Sequence, residues 1–285
     1  MIHSLKISAL IVCLASATAM GQPGYPSTVH QEGKGMRITQ EEPDTPEIRQ
    51  MLHIVGHLGD PHPDSALAML EQILHASRHR HYSFGIAKSL QLSGIVYSHT
   101  GRFAQGIEHL RQLIYYCLTS GEHKDLLALG YNILGNIYLT QGKYEEAAYY
   151  YHQALLMPRE HIRPSTVALI YINLSRLTQK LKQPPKALSY LDRAEPIATA
   201  NRNYDLLCTI NTNRGMIYAE NDQTDSAIFY LHKAKDLILE YSNRYQNLQD
   251  IEYTNLVYLA DLWLQEGQLD SAGACIKRIH EIKTP

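Results

Sequence analysis

The stretch that decides the fold reads Asn132-Ile133-Leu134-Gly135-Asn136-Ile137-Tyr138, followed after a break at Gln141-Gly142 by Lys143-Tyr144-Glu145-Glu146-Ala147. On both sides of the break, apolar residues recur at three- and four-residue steps, the period of an amphipathic helix. A glycine between two such segments is typical of a tight turn. The stretch therefore predicts two antiparallel helices joined by a short connection.

The same helix-pair pattern recurs six times along the chain, about forty residues apart. One equivalent site, small in most copies, is occupied by Ile54, Gly94, Gly135, Ser175, Gly215 and Ala260. Twelve residues later comes a second small site, with Ala66, Gly106, Ala147, Ala187, Ala227 and Ala272. Four residues further on, a bulky residue follows: Leu70, Leu110, Tyr151, Leu191, Leu231 and Ile276. A fixed period of this length marks a solenoid.

Helix breakers fall at one phase of this repeat, where each helix pair must turn. They are Gly59-Asp60-Pro61, Thr100-Gly101, Gln141-Gly142, Gln183-Pro184-Pro185, Asn221-Asp222 and Glu266-Gly267. Strand-like alternation of useful length is absent from the sequence. The breakers therefore support an all-α array of helix pairs.

The third copy, with Gly135, Tyr138, Gly142, Ala147 and Tyr151, resembles a tetratricopeptide repeat (TPR) almost position for position. The usual TPR period is 34 residues, so these longer units are similar to the extended variant of kinesin light chains and bacterial regulators. The resemblance implies an all-α fold, a right-handed TPR-like α-solenoid of about six antiparallel helix pairs over residues 46–285.

The first 19 residues are predicted to be an export signal. Lys6 precedes an apolar run from Ile7 to Ala15, and Ala17-Thr18-Ala19 has the small-x-small form that a signal peptidase needs. Cys13 suggests a lipoprotein, but Val12 is bulky where a small residue is expected, which disfavours lipidation. We therefore expect cleavage after Ala19 and an exported protein, periplasmic or secreted. Residues 20–45, rich in Pro and Gly, are predicted to be a flexible leader.

Composition narrows the classes of partner. The formal net charge is −2 and 19% of residues are charged, without a stripe of Lys and Arg, so nucleic acid is not expected as a partner. After Ala19, apolar stretches are too short for a transmembrane segment. Cys117, Cys208 and Cys275 are widely spaced, which favours small buried hydrophobes over a disulfide framework or a zinc site.

Sequence motifs for catalysis are absent: the chain has neither HExxH, nor GxSxG, nor a phosphate-binding glycine loop. His53 and His57 lie four apart on one helical face and could chelate a metal, but a third ligand is not evident. We therefore predict that the protein is not an enzyme and has no metal and no cofactor.

The TPR resemblance also implies a location for ligand binding. In TPR arrays the first helix of each pair lines a concave groove, and the residues that map to it are mostly amides. We predict Gln91, Asn132, Asn136, Asn173, Arg176 and Asn213 as ligand contacts, with Lys88, Gln179 and Thr212 on the same face. Asn offers both a donor and an acceptor, which suits a peptide main chain.

Two of these amides, Asn136 and Asn173, match the asparagines of the family's peptide carboxylate clamp. The clamp's lysines and arginine do not carry over, because Asn132, Thr209 and Asn213 occupy their places. The resemblance thus supports a peptide ligand without specifying a free C-terminus.

The predicted function is a non-catalytic scaffold of the cell envelope that binds a protein or peptide in its concave groove. The alternative is the sensory ectodomain of a split or truncated bacterial signalling regulator, an expectation by analogy only. The last predicted helix carries apolar Ala272, Ile276 and Ile279 without a polar capping helix after it. Solenoid ends usually need a cap, so we expect that a partner or a second copy of the chain covers this helix, or that the chain is the first part of a longer protein.

Overall fold

A computed structural model describes residues 46–58, 62–241 and 248–283. The predicted signal peptide, the leader and the Gly59-Asp60-Pro61 turn lie outside these residues, as do the side chains of Ile54 and His57. Over the described ranges the chain forms twelve α-helices, a short 3-10 turn at Arg159–His161 and no strand.

The helices form six consecutive antiparallel pairs. Their bounds are α1 Pro46–Leu58 and α2 Pro63–His79; α3 Ser83–His99 and α4 Phe103–Ser120; α5 Lys124–Thr140 and α6 Tyr144–Leu155; α7 Pro164–Lys180 and α8 Pro184–Ala200; α9 Tyr204–Ala219 and α10 Thr224–Tyr241; α11 Leu248–Gln265 and α12 Leu269–Lys283. The prediction of about six helix pairs in a right-handed TPR-like α-solenoid is confirmed.

The helices are arranged in two layers. Each odd-numbered helix contacts the next odd-numbered helix as well as both flanking even-numbered ones, whereas successive even-numbered helices have few or no backbone contacts with each other. The odd-numbered helices therefore form a close inner layer, and the even-numbered helices form a splayed outer layer.

The turn within each pair has the same geometry along the array. A residue with positive φ follows the inner helix in pairs two to six: Gly101, Gly142, Lys182, Asp222 and Gly267. The next residue then donates its amide back into the helix, as Lys143 N does to the Tyr138 carbonyl at 2.9 Å. This is the closure expected of a helix that ends in a left-handed residue. It confirms the predicted turns at Gly101, Gly142, Asp222 and Gly267. In the fourth pair the turn lies at Lys182, just before the predicted Gln183-Pro184-Pro185, and the two prolines begin α8.

The small residues of the repeat let the two helices of a pair approach closely. A Cβ added at Gly94 would lie 2.6 Å from Leu110, and one added at Gly135 would overlap the ring of Tyr151. The bulky partners are fully buried in the first five copies: Leu70, Leu110, Tyr151, Leu191 and Leu231. The register read from the small and bulky sites is thus confirmed for these pairs.

The sixth copy departs from that register. Ile276, which was expected to match Leu231, is 41% exposed, while Cys275 and Ile279 are buried against α11. In the fifth pair the following inner helix also lies over the bulky residue, since Asn255 of α11 donates to the Leu231 carbonyl at 3.0 Å. Among the described residues no helix follows α12, so Ile276 lacks this second cover.

Candidate functional site on the inner layer

The six predicted ligand contacts all lie on inner-layer helices: Gln91 on α3, Asn132 and Asn136 on α5, Asn173 and Arg176 on α7, and Asn213 on α9. The five amide residues are only 0–5% exposed, whereas Arg176 is partly exposed. The structure thus brings the predicted residues onto one layer but buries most of them between helices. Their role in ligand binding stays a prediction.

The buried amides join neighbouring inner helices. Asn173 Nδ2 on α7 donates to Asn132 Oδ1 on α5 at 2.9 Å. An analogous contact links α11 to α9, where Asn255 Nδ2 lies 3.5 Å from Thr212 Oγ1. Hydrogen bonds of this kind satisfy polar groups that would otherwise be costly to bury. The amide row therefore has a structural role, whatever it does for a ligand.

Asn136 has a partner within its own helix pair. The Tyr151 hydroxyl donates to Asn136 Oδ1 at 2.6 Å. Burial raises the pKa of Tyr151 above its ordinary value, and the nearby positive charge of Arg176 opposes this rise only in part. The phenol therefore stays neutral and remains a hydrogen-bond donor at physiological pH.

Lys88 places a second cation on the inner layer. Its Nζ donates to Gln91 Oε1 at 2.8 Å. The pKa of Lys88 is lowered to about 8, mainly by burial and also by the charge of Arg163, while Asp125 opposes the shift. Asp125 is itself held by Arg163, with Nε and Oδ2 2.6 Å apart. In the described part of the chain, neither Lys88 nor Arg176 forms an ion pair.

Some amide donors on this layer have no protein partner. The Nδ2 atoms of Asn132 and Asn213 are buried without a hydrogen bond to any described residue. Further along, Gln179 on α7 donates to Glu220 after α9 at 2.9 Å. On the predicted face, Lys88, Arg176 and Gln179 are therefore the partly exposed side chains, whereas the five amide residues and Thr212 are buried.

In the described ranges, no cluster of three or more His, Cys, Asp or Glu side chains could hold a metal ion. Cys117, Cys208 and Cys275 are buried, and none of them forms a disulfide. Burial raises the pKa of Cys117 to about 11 and that of Cys208 to about 12, and it also raises the pKa of Cys275. Since the thiolate is the reactive form, these cysteines behave as the small hydrophobes that their sequence context predicted.

The described helices contain no segment of sufficient length and apolarity to cross a membrane.

The outer layer has one feature that was not predicted from the sequence, a cleft of about 420 Å³ between α2 and α4. Its floor is formed by Ile86 and Leu90 of α3, and we call it the α2–α4 cleft. Aligning the copies could have pointed to it, because Leu90 stands where the third and fourth copies have Tyr131 and Tyr171.

Solved structures with a similar fold have little sequence in common with this chain. BtubC (BKLC) from P. vanneervenii has a TM-score of 0.61 at 19% identity, covering 76% of this chain and 89% of its own. Aspartyl phosphate phosphatase F from Bacillus subtilis also has a TM-score of 0.61, at 14% identity, covering 84% of this chain and 70% of its own. At such identities the likeness shows the fold alone.

A third similar structure is a Podosopora anserina protein with nearly identical TPR-like repeats. Its TM-score is 0.51 at 16% identity, and the match covers 69% of this chain and 97% of that one. Comparison with curated protein sequences finds no match. The family model described as the MalT-like TPR region matches residues 51–284, which is most of the chain. This protein therefore belongs to the MalT-like TPR region family.

Proposed function

We propose that this protein is a non-catalytic scaffold that binds a peptide or protein segment along the inner layer. A TPR-like scaffold fits a protein-interaction role, and the TPR repeat fold is generally non-catalytic. The observation that supports this surface is the continuous inner layer, on which two partly exposed cations, Lys88 and Arg176, lack ion-pair partners in the described residues.

The chemistry of this surface favours an extended polypeptide. The partly exposed Gln179 amide can donate and accept, so it can pair with a main chain of any sequence. The free positive charges of Lys88 and Arg176 favour a segment that carries carboxylates. The buried amides would stabilise this surface by holding neighbouring inner helices together. They would contact the ligand only where the inner helices separate. These amides are Asn136, Asn173 and Asn213.

A charge-reversal pair tests this function. Arg176→Glu changes the inner layer, and Lys186→Glu makes the same charge change on exposed α8 of the outer layer. With both variants shown by circular dichroism to be folded, we expect native extract to yield a crosslinked polypeptide with wild type and Lys186→Glu, and much less with Arg176→Glu. Equal capture by both variants would place binding on another surface.

Export is a separate part of the proposal and rests on residues 1–19. Cell fractionation followed by N-terminal sequencing of the native protein tests it. We expect a mature chain that begins at Met20 in the envelope or the medium, as either a periplasmic or a secreted protein. A chain that keeps Met1 and stays in the cytoplasm would contradict it. A lipid attached to Cys13 would show instead that the exported protein is anchored to a membrane.

The alternative of a sensory ectodomain predicts a different observation. A downstream reading frame that encodes a membrane helix and a signalling domain, cotranscribed with this one, would support it. Loss of partner capture on deletion of that frame would then connect the scaffold to signalling.

A further inference from the structure

The α2–α4 cleft lies on the outer layer, away from the inner surface proposed above. Leu90, which forms its floor, is 1% exposed, and Ile86 beside it is also buried. Tyr115 and Tyr116 of α4 form one wall. Tyr115 is 72% exposed, although a tyrosine ring carries a large apolar area. The cleft thus combines a buried apolar floor with an exposed aromatic wall.

The third and fourth pairs have a tyrosine at the position that Leu90 occupies in the second pair. In the third pair, Tyr131 stacks on Tyr150 with the ring centroids 6.3 Å apart. In the fourth pair, Tyr171 stacks on Tyr190 at 6.2 Å. The residue at the matching position in the second pair is Leu90, which reaches less far than a tyrosine ring. The floor of the cleft thus lacks an aromatic side chain from α3.

The charged side chains at the cleft indicate which kind of segment it would bind. Arg78 of α2 and Arg111 of α4 line it, and neither forms an ion pair in the described residues. The one carboxylate in the lining, Glu108, accepts a hydrogen bond from Gln112 Nε2 at 3.0 Å. Guanidinium groups bind carboxylates with paired, directional hydrogen bonds. The two arginines thus favour an acidic occupant.

We propose that the α2–α4 cleft is a docking site for a short segment of a partner polypeptide. The segment inserts an aromatic side chain over Leu90, where Tyr131 lies in the third pair, and places adjacent carboxylates on Arg78 and Arg111. This site is independent of the inner layer, so the scaffold can hold one partner on each face.

The test is a titration of the mature chain with the blocked peptide acetyl-Glu-Tyr-Glu-amide, followed by NMR. The control peptides are acetyl-Glu-Ala-Glu-amide, which lacks the ring, and acetyl-Lys-Tyr-Lys-amide, which reverses the charge. We expect saturable binding of the first peptide and at least tenfold weaker binding of the other two. Absence of binding by the first peptide, or equal binding of all three, would overturn the proposal.

Two variants locate the binding. Leu90→Tyr supplies the ring that the third and fourth pairs have, so we expect it to fill the cleft and weaken binding at least tenfold. Arg78→Gln combined with Arg111→Gln changes only exposed side chains and keeps the test valid if Leu90→Tyr folds poorly. We expect about a tenfold loss from this pair of surface contacts. Lys186→Gln, on exposed α8, is the control for loss of a positive charge and should bind as wild type does.

Unchanged affinity in the double arginine variant, or in a folded Leu90→Tyr variant, would overturn the assignment. Sedimentation of the wild type tests whether a second copy of this chain occupies the cleft. Concentration-dependent dimerisation that Leu90→Tyr abolishes would assign the cleft to a second copy of this chain, and would equally overturn docking of a partner.

Discussion

The second and third helix pairs have the same backbone plan but differ in what fills the groove beside the inner helix. In both pairs a glycine lies against a bulky residue of the outer helix, Gly94 against Leu110 and Gly135 against Tyr151. In the third pair Tyr131 stacks on Tyr150, whereas in the second pair Leu90, at the matching position, lies on the floor of a cleft. The glycine sites thus determine how closely the two helices of a pair approach. Nearby positions can vary from pair to pair, and this variation changes the surface.

The fifth pair also differs from its neighbours at a position beside the recurring small site of the repeat. Arg214, directly before Gly215, stands where the third and fourth pairs have the buried Leu134 and Leu174. Its side chain is 7% exposed, and it binds Asp192 and Glu195 of α8 at 2.6 Å each. The fourth and fifth pairs are therefore joined by charge at a site where the third pair uses apolar packing.

The largest loss of stability is expected when the close contact between the two helices of a pair is disrupted. Gly135→Leu would drive a side chain into the Tyr151 ring, and we expect it to lower the free energy of unfolding by about 3 kcal/mol through overpacking. Thermal or urea unfolding measures this. Gly273→Ala is the matched control, because a Cβ there meets open space. It should instead stabilise its helix by about 0.5–1 kcal/mol, and an equal loss in both variants would contradict the register.

The next largest loss of stability is expected at the charged contact between the fourth and fifth pairs, where other pairs have apolar packing. Arg214→Ala removes a buried cation from two carboxylates and is expected to cost about 2 kcal/mol, less than a fully buried pair because Asp192 remains solvated. Arg214→Leu, which copies Leu134, should recover most of the loss. Urea unfolding of both variants checks this, and an equal cost for Leu and Ala would show that the charges themselves are required.

The pH dependence of the same junction has a defined sign. Burial alone would raise the pKa of Glu195, but the hydrogen bonds and charges of Arg214 and, to a smaller extent, of Lys233 outweigh it and hold the pKa below its ordinary value. A carboxylate with a lowered folded pKa contributes stability at neutral pH that is lost as pH falls through that pKa. The stability gap between wild type and Arg214→Leu should therefore shift in favour of the variant in acid.

A smaller effect tests the difference between the second and third pairs directly. Tyr131→Leu would empty the third pair's groove and lose the stack with Tyr150, which we expect to cost about 1–2 kcal/mol. Leu90→Tyr should leave stability unchanged or slightly raised, because its ring enters an existing cleft. Thermal unfolding compares the two, and a destabilised Leu90→Tyr would show that the two grooves differ in shape as well as in filling.

The smallest effect concerns Lys88 on the inner layer. Its pKa is lowered from 10.5 to about 8, mainly by burial, so the charged side chain is destabilising at pH 7. We expect Lys88→Met to stabilise the fold by about 1 kcal/mol after allowing for solvent that still reaches the amine. Between pH 8 and 10.5 the unfolded chain binds more protons, so wild-type stability rises and the variant's advantage should shrink. A constant advantage across this range would contradict the lowered pKa.

The sequence predicted the parts of the fold that depend on local rules. Gly142 and its equivalents end the inner helices because only a left-handed residue closes the turn, and Gly135 and Ala147 mark the helix crossing. The burial of Asn132 and Asn173 was not predictable in this way, since their hydrogen bond depends on how closely α5 and α7 pack. The exposure of Ile276 likewise depends on a neighbouring helix and not on its own segment.

The proposed inner-layer function is tested most directly by photo-crosslinking from defined positions. A photoreactive amino acid is placed at Gln179 on the inner layer or at Lys186 on the outer layer, and the protein is irradiated in native extract. Our account predicts polypeptide adducts from position 179 that are absent from position 186 and are suppressed by Arg176→Glu. Adducts from position 186 alone, or none from position 179 in a folded protein, would contradict binding along the inner layer.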